Sequence, residues 1–498
     1  MKAIYDEDAR KAIVNGSTGL YRAAKGTYGP LSGNVGVAYK LSTPIITHDG
    51  VTVARHYEID LPEKVGADIP RNAAIDMDRR VRDGTTTAII LSHWIVKYMA
   101  DEASAGGNVF LMKRQLDKDA QRAVEFIEKN KQKITSAKQL IDTASISAKD
   151  EELGKVIGET VYEVGSSVTV EKSDIQKIDS KIHDGYTFDK GYLSPYLIGD
   201  TDKERTVLKE PAILLINKTV KEGDLLPALQ KLKGKREILI IAEAITGEAL
   251  SEIVNHRTQG VLDVVAVESP GYGSSRLEYM KDLASITGAT IVGGATSYAS
   301  CKLGSVESVT VGRYETRLVG FNEESAKERK KELKSRIKET TNAQDKETLE
   351  SRVKSLSGKG AIIYVGGETD SEREARKFDV DDAVGASIAS LDGTVAGGGA
   401  ILLDASREIG EDTILGKALQ QPFKILLENV GIDYEAYINE SGKGMGVDVT
   451  KEGGLVDLIE SGIIEPAETT KEAIKVAVST AGIGMTMKTI IYEEKKDD

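Results

Sequence analysis

Apolar residues recur at three- and four-residue spacing through DEDARKAIVNGSTGLYRAAKG (6–26), which predicts an amphipathic helix. Gly, Pro and Ser break the pattern in TYGPLSGNVGVAYKLSTPIITHDG (27–50), where GNVGVAY and PIITHDG read as two short strands with turns. A helix resumes in VFLMKRQLDKDAQRAVEFIEKN (109–130). The texture changes between 184 and 360. Short apolar runs, AILLINK (212–218), EILIIAEA (237–244) and LDVVAVES (262–269), alternate with the amphipathic stretches DLLPALQKLKG and GEALSEIVNHR. That alternation predicts an α/β domain. The charged segment 323–356 carries widely spaced apolar residues and reads as a helical hairpin with a solvated face. Helical spacing dominates again in DVDDAVGASIASL, KALQQPFKILLENVG and TKEAIKVAVSTAGIGMTM. Helix-rich ends around an α/β middle suggest one domain inserted into another.

The length of 498 residues exceeds what one hydrophobic core usually organises, so two to four domains are expected. A formal charge of −13 leaves no electrostatic footprint for nucleic acid or an anionic membrane surface. The single cysteine, Cys301, excludes an internal disulfide framework and suits a reducing cytoplasm. The opening residues have no apolar signal core, and no window of the chain is apolar enough to predict a membrane span. The five histidines lack metalloprotease spacing and are read as incidental.

Candidate chemistry begins at VRDGTTTAII (81–90). Three adjacent β-branched hydroxyl residues are poor helix formers, yet they stand at the mouth of an apolar helical run. A helix starting there would point unpaired N–H groups and threonine hydroxyls at a phosphate. Asp83 beside it is a suitable ligand for Mg2+, which prefers carboxylate and phosphate oxygens. By itself this is an ordinary N-cap. The Gly/Pro loop TYGPLSGN, the turn THDGV, the triple glycine of VAGGGA and the acidic VDDAV are each ordinary features alone as well.

Together they resemble the chaperonin family, specifically its group I. The resemblance spans nearly the whole chain in order: TYGP, THDGVTVAR, DGTTTA, ISA (146–148), FDKGYLSPY (188–196), IIAEAITGEAL (240–250), VDDA, VAGGGA and VDLIESGIIEP (456–466). It implies a multidomain α+β subunit with a mainly helical equatorial domain (1–129 and 393–498), a small intermediate domain (130–183 and 361–392) and an inserted α/β apical domain (184–360). Gly185 and Gly358 or Gly360 are candidate hinges. The implied activity is ATP hydrolysis coupled to folding of non-native polypeptides.

The roles implied by the resemblance fall on matching positions. Thr27, Tyr28, Gly29 and Pro30 match the loop around the ATP phosphates. Asp83 matches the magnesium ligand, and Gly84, Thr85, Thr86 and Thr87 the phosphate-binding helix start. Asp49 and Asp382 match carboxylates near the γ-phosphate, Asp382 orienting the attacking water. Ser147 lies beside the nucleotide and Gly398 at the adenosine, while Asp448, Ile463 and Glu465 match contacts to base and ribose. Tyr192, Tyr196, Leu197, Leu226, Leu229, Leu250 and Val254 match an apical groove for non-native polypeptide and a co-chaperonin lid. The assembly implied is a homo-oligomeric ring, seven-membered, single or double, in the cytoplasm, with potassium a candidate second cation. Four departures stand near the nucleotide: Arg82 for a usual glycine, Leu31-Ser32-Gly33 for Lys-Gly-Arg, His48 for lysine and Glu465 for aspartate. Asn255 replaces an apolar groove residue, and the family's Gly-Gly-Met tail is missing. Rival readings are a group II chaperonin, a passive holdase and a stand-alone phosphotransferase.

Overall fold

The computed structural model describes residues 1–38, 45–173, 177–199, 204–230, 237–271, 273–340, 343–356, 358–451 and 454–493. The chain forms two compact units, one from Met1–Glu159 with Phe378–Asp498 and one from Thr160–Lys377.

The first unit is mainly helical. Helices Asp6–Ala24, Lys64–Arg80, Thr85–Ser104, Val109–Asn130, Ala400–Ile409 and Ala467–Gly484 surround an aliphatic core that includes Ile13, Met77, Leu91, Ile95, Leu116 and Ile474. With so few aromatics, small residues set the spacing. A Cβ on Gly16 would lie 1.8 Å from the Glu63 carbonyl oxygen, and one on Gly66 2.1 Å from that of Ile13. The first two helices therefore cross backbone to backbone, and an alanine at either glycine would force them apart. The chain ends meet as antiparallel strands, Lys2–Tyr5 against Thr489–Tyr492. The predicted hairpin is present as Val35–Val37 paired with Ile45–Thr47. The middle of that reading, 39–44, and the charged end of the tail, 494–498, lie outside the described residues.

His93 sits inside this unit, stacked on Tyr21 with ring centroids 4.3 Å apart and sharing a 3.0 Å hydrogen bond with Ser17 Oγ through Nδ1. Burial, reinforced by Lys97 and Arg22, pushes its pKa down to about 3. The unfolded chain, with histidine near 6.5, binds more protons than the folded one between pH 6.5 and 3. Stability is therefore fully present above pH 6.5 and falls on acidification through that window, with a limiting slope of about 1.4 kcal/mol per pH unit from this group. Urea midpoints at pH 7 and pH 5 are expected to differ for the wild type, and the difference to shrink in His93→Phe.

The second unit holds two sheets. The apolar runs are the buried parallel strands Ala212–Val220, Glu237–Ile245 and Asp263–Glu268, joined by Ile291–Val292 on the far side of the first. Strands buried on both faces need continuous apolar sequence rather than alternation, which is what these runs carry. Helices Gly247–Thr258 and Gly273–Thr287 flank them. A six-stranded mixed sheet includes Asp179–Phe188 and Lys359–Val365, which run antiparallel. Glu323–Glu339 and Ala343–Ser355 form the predicted helical hairpin. It is not simply solvated, because Arg329 and Arg352 point inward onto the fully buried Asp282. The stretch DLLPALQKLKG departs from its periodicity. Its described helix is one turn, Leu226–Leu229, with Pro227 in that turn, and Leu225 precedes it. Leu232 lies outside the described residues.

Among the described residues no helix is long and apolar enough to cross a membrane.

Candidate nucleotide site and apolar groove

The helix Thr85–Ser104 starts where the sequence places it. Its N-cap is Gly84, in the left-handed region at φ 73°, which glycine alone adopts without strain. Its first-turn N–H groups have no side-chain cap, so they are available to a phosphate. Asp83 turns back at this point, accepting a 2.8 Å hydrogen bond from the Gly84 N–H through Oδ1. Burial raises its pKa, and that N–H only partly offsets the effect. A carboxylate so poorly solvated gains much from a cation. Among the described residues no cluster of three or more His, Cys, Asp or Glu could cage a metal. One carboxylate plus substrate phosphates is the usual manner of holding Mg2+, so the donor set fits that ion.

Asp49, Thr27, Tyr28 and Glu465 connect to the same helix start. Asp49 caps the helix Gly50–His56, accepting from Val51 N (3.1 Å), Thr52 N (3.0 Å) and Thr52 Oγ1 (2.6 Å). Gly50 presses on the threonines, since a Cβ there would lie 2.2 Å from Thr86 Oγ1 and 3.2 Å from Thr85 Oγ1. Thr27, which donates to the Ala24 carbonyl, lies 3.3 Å from Thr86 Oγ1. Tyr28 hydrogen-bonds Thr87, and burial, then the charge of Glu465, raises its pKa. Gly29, at φ 101°, carries the chain over Leu426 and into Pro30. Gly398 and Gly399, both left-handed, lead into the helix Ala400–Ile409.

Glu465 lies opposite Val395 in a two-stranded ladder and accepts from Thr470 Oγ1 at 2.7 Å. Burial, with Asp83 adding to it, pushes its pKa up to about 7. Ile463 is half-buried, and its carbonyl accepts from Gly397 N. Asp448 is held by Thr450 and Lys451, whose hydrogen bonds outweigh burial and keep its pKa low. Ser147 is half-buried near the end of the helix Ala137–Ala148. Two residues on, Lys149 donates to Ser32 Oγ at 2.8 Å, tying that strip to the Thr27–Ser32 loop.

Asp382 arrives from far along the chain, on the helix Asp370–Ser390, and is half-buried. Two contacts fix its heading. Asp379 Oδ1 lies 3.5 Å from His48 Nε2, next to Asp49. Gly385 lies against Arg82, next to Asp83, since a Cβ on it would come within 2.8 Å of Arg82 Cβ. At about 100° per residue, Asp382 lies roughly 60° from each of these positions, midway on the arc they span. On its own helix it is thus bracketed by the residues that meet His48 and Arg82, the neighbours of Asp49 and Asp83.

Sequence reasoning missed Asn429, whose Nδ2 donates to the carbonyls of Lys25 (2.8 Å) and Tyr28 (3.0 Å) and so pins the glycine loop. No local signal marks it, because it lies about four hundred residues from its partners.

The apolar set in the second unit divides. Tyr196 and Leu226 are exposed, at 72% and 50%. Leu229, Leu250 and Val254 are half-buried over the core beneath them. Tyr192 packs partly on the second core and bridges to Val267 through its backbone. Leu197 is a correction. It is completely buried among Leu214, Ile216 and Ile253, because the short 3-10 turn Pro195–Leu197 directs it inward while Tyr196 points out. It is a core residue and is not exposed to a ligand.

The TCP-1/cpn60 chaperonin family model matches residues 20–225 and 224–495. The chain belongs to the TCP-1/cpn60 chaperonin family. That model serves both chaperonin groups. The fold is also that of a solved chaperonin, gp146 from bacteriophage EL 2 (Pseudomonas aeruginosa), crystallised in the presence of ATP-BeFx in two crystal forms. The TM-scores are 0.68 and 0.63 at 20% identity, covering 99% of this chain and 100% of that one. For this chaperonin the multidomain α+β fold is thus established across its length.

Proposed function

We propose that this chaperonin is an ATP-hydrolysing subunit of a homo-oligomeric ring that binds non-native polypeptides and releases them through nucleotide-driven domain movement. What supports this reading is the helix Asp370–Ser390, whose Asp379 lies 3.5 Å from His48 beside Asp49 and whose Gly385 packs on Arg82 beside Asp83, so that Asp382 between them would reach the uncapped start of the Thr85–Ser104 helix. Thr27–Pro30 and Gly84–Thr87 would cradle the triphosphate of ATP with backbone N–H groups and hydroxyls. Asp83 would hold Mg2+, which supplies charge compensation for the phosphates when bound. Asp49 would stand at the γ-phosphate. Asp382 would accept a hydrogen bond from the attacking water and hold it in line. Gly398, Ser147, Asp448, Ile463 and Glu465 would line the nucleoside end. Potassium remains a candidate second cation. The ATP-BeFx present with the phage chaperonin supports nucleotide as the ligand of this site.

The ring is supported by two exposed two-stranded sheets in the first unit, with Ile46 and Ile491 at 74% and 69% exposure. Isolated two-stranded ribbons are marginal, and their open edges are suited to completion by a second copy. The division proposed for each subunit is equatorial 1–129 and 393–498, intermediate 130–183 and 361–392, apical 184–360. Gly185 and Gly360 would serve as hinges, since a Cβ on Gly185 would lie 2.7 Å from Gly360 N and no side chain separates the strands there. Among the described residues of 184–360 no additional helical protrusion interrupts the elements, which favours group I with a separate co-chaperonin lid in the cytoplasm.

Negative-stain images with and without ATP test the assembly. Rings whose apical ends move on ATP are expected, and a monomer or dimer would defeat the reading. The groove is tested separately. Leu226→Ser with Leu250→Ser should lower capture of a chemically unfolded polypeptide several-fold while ATP turnover persists, because exposed apolar surface is what such clients recognise.

A further inference from the structure

Two of the four departures from the family pattern near the nucleotide, His48 and Arg82, meet the same helix on either side of Asp382. His48 faces Asp379 at 3.5 Å, and Arg82 lies along Gly385 with Cβ and Cδ 2.8 and 3.5 Å from the position of a Cβ there. Arg82 is also held at φ 63°, a left-handed conformation in which a glycine would be unstrained. Strain of this kind persists where the surrounding structure over-determines it. The guanidinium begins one bond beyond Cδ, on the helix face that bears Asp381 and Asp382 one turn back from Gly385.

We propose that His48 and Arg82 are positioning residues for Asp382. They form a two-point grip that docks the 379–385 segment over the phosphate site, Arg82 through its packing on Gly385 and His48 through Asp379. This rests on the reading of the site as an ATPase centre and extends it. Glycine at 82 would remove the contact on Gly385 and leave the segment's docking to position 48 and to nucleotide. With the grip, docking is favoured before nucleotide arrives.

The test uses steady-state ATP hydrolysis by the full-length protein, with nucleotide binding followed by fluorescence of Trp94, the sole tryptophan, on the Thr85–Ser104 helix. Arg82→Gly is expected to lower kcat about tenfold or more with KM and ATP affinity little changed, since misplacement of a reacting group by about 1 Å can cost a hundredfold. Arg82→Lys should restore most of the rate, and His48→Ala should lower kcat in the same way. Gly385→Ala, which collides with Arg82, should also lower kcat in the wild-type background. In Arg82→Gly it should do much less further harm, because the colliding side chain is gone and only the 3.3 Å approach to the Val81 carbonyl oxygen remains. Wild-type kcat in Arg82→Gly, or multiplicative losses in the double variant, would overturn the grip while leaving the ATPase reading intact. Absence of turnover in the wild type itself would overturn both.

Discussion

Asp382→Ala is expected to reduce ATP turnover by about a hundred- to ten-thousand-fold, the range that a positioned general base contributes. ATP affinity should change little. In the proposed site the phosphates would be bound by the Thr85–Thr87 helix start and the Thr27–Pro30 loop, and neither includes Asp382. The helix Asp370–Ser390 should still form, because alanine is a better helix former than aspartate. Phosphate release measured beside wild type, with Trp94 fluorescence reporting binding, separates the two effects. A wild type that turns over no faster than the variant would leave a passive holdase. Asp83→Ala should differ in kind, losing nucleotide affinity together with rate, because it removes the ligand proposed for the metal that accompanies the phosphates.

The largest stability effect is expected at Asp282→Ala in the second unit. Asp282 is fully buried and accepts from Arg329 Nε (2.8 Å), Arg352 Nε (2.7 Å) and Arg352 Nη2 (2.7 Å). Glu278 joins the cluster. Burial works to raise its pKa, but hydrogen bonds from Lys281 and Arg336 outweigh it and hold the value at about 2. Removing Asp282 leaves two buried guanidinium groups short of their counter-charge, a loss of roughly 3–5 kcal/mol. For a unit of this size that corresponds to a fall of about 10 °C in melting temperature. Calorimetry or thermal denaturation followed by circular dichroism checks it. Replacing Asp282, Arg329 and Arg352 together by apolar residues of similar volume should cost less than Asp282→Ala alone. An apolar trio leaves no stranded charge. A triple variant worse than the single would show that the ion cluster itself is a net source of stability.

Different parts of this chaperonin were legible in the sequence to different degrees. The buried strands at 212–220, 237–245 and 263–268 could be read because their apolar runs are uninterrupted. The start of the Thr85–Ser104 helix could be read because Asp-Gly followed by threonines has few other uses. The stretch DLLPALQKLKG reads as amphipathic, yet its described helix is the single turn Leu226–Leu229, because apolar spacing does not fix how many turns form and Pro227 sits inside it. Leu197 misled for a related reason. In a three-residue 3-10 turn, neighbours point in different directions, so the exposed Tyr196 and the buried Leu197 share one motif with opposite fates. Charge in 323–356 suggested solvent, yet Arg329 and Arg352 are buried, because their partner Asp282 lies on another helix some fifty to seventy residues away.

The linear chain, then, decided the local chemistry: which segment becomes a helix mouth, which loop can turn tightly at Gly29 and Gly84, which strands are buried on both faces. It also supplied the ordered motifs that mark the family. Folding alone decided convergence. Asp49, Asp83 and Asp382 are distant in sequence, and the helix that bears Asp382 is brought against the neighbours of the other two by His48 facing Asp379 and by a glycine at 385 that lets Arg82 approach. Periodicity and capping act over a few residues, whereas the placement of one helix against another is set by which side chains fill the space between them.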